Sequence, residues 1–117
     1  MNKLKGSGQE NYLERIPLRV EGILWSADEN GIVTLDIENK GAFNWIAQKL
    51  FHRPRVSHIH LDRIGSFLWP LIDGKKNILE LAGEVNKQFG EEAAPLYERL
   101  AKYFQILNSY HFIHFYE

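Results

Sequence analysis

Residues 61–74 read LDRIGSFLWPLIDG, residues 77–90 NILELAGEVNKQFG and residues 91–113 EEAAPLYERLAKYFQILNSYHFI. Three amphipathic helices in succession, each with its own start and stop, decide the fold class. In the first, Ile64, Phe67, Leu68, Leu71 and Ile72 recur at helical spacing and make one face apolar. Asp62 stands where an N-cap is wanted, and Asp73-Gly74 stops the helix. Pro70 has no backbone donor, which predicts a kink or a distorted last turn. In the second, Asn77 and Glu80 have capping-box spacing. Ile78, Leu81, Ala82, Val85 and Phe89 form its buried stripe, and Gly90 suits the position just past its end.

The third helix is predicted over residues 92–109, with Pro95 in its first turn, where no donor is required. Leu96, Tyr97, Leu100, Ala101, Tyr103, Phe104, Ile106 and Leu107 cover more than half of its circumference. Glu98, Arg99, Lys102 and Gln105 are left as a polar face. A helix so apolar either packs on two sides or lines a groove.

Upstream the period changes from helical to alternating. Residues 19–25 and 32–38 are strand-like, and Asn30-Gly31 between them favours positive φ and hence a hairpin. Val33, Leu35 and Ile37 alternate with Thr34, Asp36 and Glu38, the pattern of a sheet with one buried face. Residues 41–51 return to helical spacing through Phe43, Ile46, Ala47, Leu50 and Phe51, with Trp45 on the opposite, polar face. Pro54 ends that segment, and residues 56–61 form a third strand. Residues 111–116 close the chain as a short strand or an extended tail, and residues 1–12 read as a polar, flexible tail. The expectation is one α+β domain over residues 13–117. It has a three-stranded antiparallel sheet, a three-helix bundle, and an additional short helix between strands 2 and 3.

Composition narrows the function classes. A net charge of -1 offers no basic field for nucleic acid or acidic lipid. The absence of cysteine excludes disulfides and thiolate metal sites. No apolar run resembles a signal peptide or a membrane span, so a cytoplasmic location is the expectation. His58 and His60 share a strand face, but zinc requires three or four converging ligands and none is spaced for it. Polar residues on the sheet's outer face or along its edge are the simpler reading. No serine sits in a nucleophile elbow, and Gly6-Ser7-Gly8 is not placed between a strand and a helix. Neither catalysis, nor a metal, nor a cofactor is expected.

From Leu61 onward the chain resembles the PqqD-like proteins. The likeness lies in Leu61-Asp62 opening a helix, Gly65, Trp69 through Ile72, the stop at Asp73-Gly74, and Ile78 through Val85. It continues in Phe89-Gly90, then Leu96-Tyr97-Glu98-Arg99-Leu100 running to Phe104, Leu107 and Phe112-Ile113. The resemblance implies a winged helix-turn-helix-like domain that acts as a non-catalytic peptide chaperone. It would bind the leader of a ribosomally made precursor and present it to a modifying enzyme of the radical S-adenosylmethionine type. By the family's binding mode the leader adds a strand along Val56, Ser57, His58, Ile59 and His60. Tyr97, Leu100, Tyr103 and Phe104 would then line a groove, with Arg99 at its border. The helix at residues 41–51 has no counterpart in the minimal module.

Two other classes stand beside this one. A winged helix can bind DNA, but the start of the third helix carries Glu91, Glu92 and Pro95, which repel phosphate and offer no donor to a base. A general protein–protein adaptor would use Trp25 and Trp45 as anchors.

Overall fold

The computed structural model describes residues 12–38 and 56–116. The helix expected at residues 41–51 and most of the expected N-terminal tail lie outside these residues. The described elements are β1 (Pro17–Arg19), β2 (Leu24–Ala27), β3 (Val33–Glu38), β4 (Val56–His60), α1 (Arg63–Leu68), α2 (Ile78–Phe89), α3 (Leu96–Ser109) and β5 (Ile113–Phe115). Short 3-10 turns follow α1 (Trp69–Leu71) and α2 (Gly90–Ala93). The fold is mixed α+β, with a three-stranded antiparallel sheet and three helices. The chain divides into two compact units, one of residues 22–66 and one formed by the segments before and after it.

The first unit is built on the sheet β2-β3-β4. Its hairpin turns through a three-residue loop. Gly31 N donates to Asp28 O, Asp28 N donates to Ile32 O, and the Asp28 carboxylate accepts from Asn30 N and Ile32 N. Gly31 alone takes the left-handed conformation this loop demands, at φ 81. Val33 and Leu35 are buried and Thr34 and Asp36 are not, as the alternation predicts. Where the β3–β4 ladder ends, a side chain takes over. Val33 N donates to Ser66 Oγ at 2.8 Å, and Ser66 Oγ donates to Leu61 O at 3.2 Å. Asp62 caps the start of α1 by accepting from Gly65 N at 2.7 Å.

The second unit holds α2, α3 and the two-stranded sheet β1-β5. The expected strand over residues 19–25 is corrected here. Its first part pairs with the C-terminal strand, with Arg19 opposite Ile113 and Val20 N donating to Phe112 O. Its last part belongs to the other sheet. Glu21 and Gly22 form a turn between them, with Gly22 at φ 93, a conformation an unbroken strand cannot contain. The first helix ends in a 3-10 turn with Pro70 near its start, the distortion its missing donor predicts. In α2 the Asn77–Glu80 capping box forms in both directions at 2.8 Å, and Gly90 takes the C-cap at φ 57. Helix α3 begins at Leu96, later than the spacing predicts. Pro95 is its extended N-cap, and Glu91 and Glu92 lie in the preceding 3-10 turn.

The core of this unit contains Trp69, Ile72, Ile78, Leu81, Val85, Leu100, Phe104 and Ile113, all fully buried. Tyr12 packs edge-on against Phe115 at 5.6 Å, beneath Arg15, whose guanidinium lies 4.3 Å from the same ring. Burial raises the Tyr12 phenol above its usual pKa, with Arg15 partly opposing.

Two outcomes are expected on stability. Ser66→Ala leaves Val33 N–H and Leu61 C=O without the hydroxyl that joins them and should cost about 1–3 kcal/mol. At Gly74, with φ 83, an added Cβ would meet Tyr116 at 2.7 Å and Leu18 at 3.0 Å. Gly74→Ala should therefore lose about 1–3 kcal/mol. Denaturant midpoints at unchanged m-value measure both.

Candidate functional site

The ten residues singled out in the sequence fall five in each unit. The strand half is defined by the phase of the β3–β4 ladder. Leu61 N donates to Val33 O at 2.9 Å, which makes Val33 and Leu61 a bonded pair. Bonded and non-bonded pairs alternate in an antiparallel ladder. Leu35 with Ile59 and Ile37 with Ser57 are therefore bonded, while Asp36 with His58 and Thr34 with His60 are not. The backbone groups of His58 and His60, and of Val56 two residues earlier, point away from β3. Strand β2 agrees from the other side: Asp28 N bonds Ile32 O, so the even-numbered residues of β3 bond β2. Among the described residues β4 is an edge strand.

The register also settles which side chains share a face. His58 Nδ1 meets Asp36 Oδ1 at 2.6 Å and His60 Nδ1 meets Thr34 Oγ1 at 2.8 Å, both in exposed positions. Ser57 and Ile59 are half-buried on the opposite face, that of Leu35. The two histidines thus lie on the outer face of the sheet and present their backbones along its edge. Among the described residues no group of three or more His, Cys, Asp or Glu side chains could hold a metal ion.

In the other unit, α3 divides its apolar arc. Leu100 and Phe104 are fully buried and serve the core. Tyr103 is half-buried, edge-on to Phe104 at 5.1 Å. Tyr97 is 50% exposed and Ile106 45%. Tyr97 and Tyr103 are six residues apart, hence about 120° apart around the helix. The Arg99 guanidinium donates to Glu92 O at 3.0 Å, a bond back to the turn before its own helix. Asp36 and Thr34 were missed as partners in the sequence, although their alternation with Val33 and Leu35 already puts them on one face.

The profile of the family described as Coenzyme PQQ synthesis protein D (PqqD) matches residues 31–113 of the 117-residue chain. The chain belongs to the PqqD family. The match covers β3, β4, all three helices and the start of β5, and leaves β1 and β2 outside. No match was found among curated proteins or among solved structures. Members of the PqqD family are accessory, non-catalytic proteins, and membership implies a part in pyrroloquinoline quinone or related ribosomal-peptide biosynthesis, with a peptide and a modifying enzyme as partners. No helix among the described residues is long and apolar enough to cross a membrane.

The Asp36–His58 pair is exposed, with side-chain exposures of 64% for His58 and 33% for Asp36. A double-mutant cycle of Asp36→Ala and His58→Ala should therefore give a coupling of about 1 kcal/mol or less. Both variants are then usable as binding probes, which urea titration of the four proteins checks.

Proposed function

We propose that the protein is a cytoplasmic peptide chaperone that binds the leader of a ribosomally made precursor by strand addition along β4. It then presents the precursor to a tailoring enzyme of the radical S-adenosylmethionine type. The observation that carries this reading is the edge at His58 and His60, whose backbone donors and acceptors face away from the sheet in a chain of the PqqD family. Strand addition suits a carrier, because main-chain bonds give affinity that tolerates sequence change while contacts to alternate side chains give selectivity. The three-stranded sheet β2-β3-β4 followed by three helices supports a winged-helix reading of the fold, and the same reading takes residues 13–117 as a single domain. The family resemblance gives Tyr103 and Arg99 a part in holding the peptide. Leu100 and Phe104 would act from beneath, as the packing that fixes the helix's shape.

The test is titration of the protein with short peptides encoded beside its gene, followed by amide-shift mapping. The expected result is saturable binding, with shifts along Val56–His60 and at Tyr103 and Arg99. Shifts confined to the β2–β3 hairpin would remove the site. Failure of every neighbouring peptide to bind, or a neighbourhood without a peptide-modifying enzyme, would remove the function.

A further inference from the structure

Strand β4 offers its outer edge in one phase only. Ser57 and Ile59 spend their backbone groups on β3, so a strand on the far side can bond His58 and His60 but not the residues between them. Every described pairing in this sheet is antiparallel, the arrangement with the straighter and slightly stronger bonds. In an antiparallel pair the directly opposed residues share a face.

We propose that the segment taken up by β4 is an extended peptide of alternating polar and apolar residues. Its polar residues lie opposite His58 and His60 and exchange backbone hydrogen bonds with them. This rests on strand addition as read above and adds the phase and chemical pattern of the occupant. Residues opposite His58 and His60 come onto the face where the imidazoles meet Asp36 and Thr34. Each imidazole has its Nδ1 engaged there, which leaves Nε2 to meet a hydrogen-bonding side chain from the incoming strand. Residues between them come onto the face of Ile59 and the buried Leu35, where an apolar side chain gains by leaving water. The five residues of β4 set the paired core of the peptide at about five residues, or roughly 17 Å.

The probe is a synthetic peptide alternating valine with serine and glutamine, with lysines at both ends for solubility. Its control is an isomer of the same composition with the valines in one block. The alternating peptide should bind and the isomer should not. On binding, amide exchange should slow at His58 and His60 and stay unchanged at Ser57 and Ile59, whose amides are already bonded. N-methylation of the serine and glutamine amides should abolish binding, while N-methylation of the valine amides, which point away from β4, should leave it intact. Equal binding of the isomer, a reversed methylation pattern, or protection elsewhere than His58 and His60 overturns the proposal. If a precursor encoded beside the gene binds along β4 and the alternating probe does not, this inference alone falls. If neither binds, the functional reading beneath it falls too.

Discussion

The Ser66 hydroxyl sits where the last rung of the β3–β4 ladder would be completed, accepting a hydrogen bond from Val33 N–H and donating one to Leu61 C=O. Much of the first unit depends on that bridge. It satisfies two main-chain groups at the point where the ladder runs out, and it does so from α1, so the strand cannot slide without breaking the tie to the helix. A slip of one residue would turn His58 and His60 to the buried face and Ile59 to the exposed one. The phase of the outer edge, on which the proposed docking depends, is thus held by a serine that touches no peptide.

The edge itself is short and edged with polar groups. A long flat edge of apolar residues invites pairing with any extended chain, including another copy of the same protein. Here the outer face carries an imidazole–carboxylate pair and an imidazole–hydroxyl pair, both exposed. These cross-strand contacts add little stability singly, but they keep the surface wet and make indiscriminate stacking unfavourable. Selectivity for a partner then falls to alternate side chains, with the backbone supplying the sequence-tolerant part.

The helices were legible because their signals are local. Asn77 and Glu80 cap α2 from within one turn, Gly90 ends it, and Pro70 distorts the turn it occupies. The strands were less so, since a strand is defined by a partner far away in sequence. Residues 19–25 look like one strand, yet Arg19 pairs with Ile113 and Leu24 with Asp36. For the candidate site, the chemistry of β4 was readable and its phase was not, because phase follows from which residue of β3 stands opposite. On α3 the alternation of apolar residues marks a buried arc without saying which members face the core. Leu100 and Phe104 proved to be core, Tyr97 and Ile106 surface.

The pairing of β1 with β5 joins Pro17–Arg19 to Ile113–Phe115 across nearly the whole described chain. The helical unit is therefore discontinuous in sequence, interrupted by the segment that forms the other unit. During synthesis the three strands of that inner segment emerge together and can pair early. The first strand of the helical unit must wait for Ile113–Phe115 to leave the ribosome before it finds its partner. Such distant closure is the slow kind of contact in folding, since the chain entropy is lost before the bonds repay it. The sheet that would meet a ligand is then the part able to form first, and the unit carrying the third helix is completed only after Ile113–Phe115 has been made.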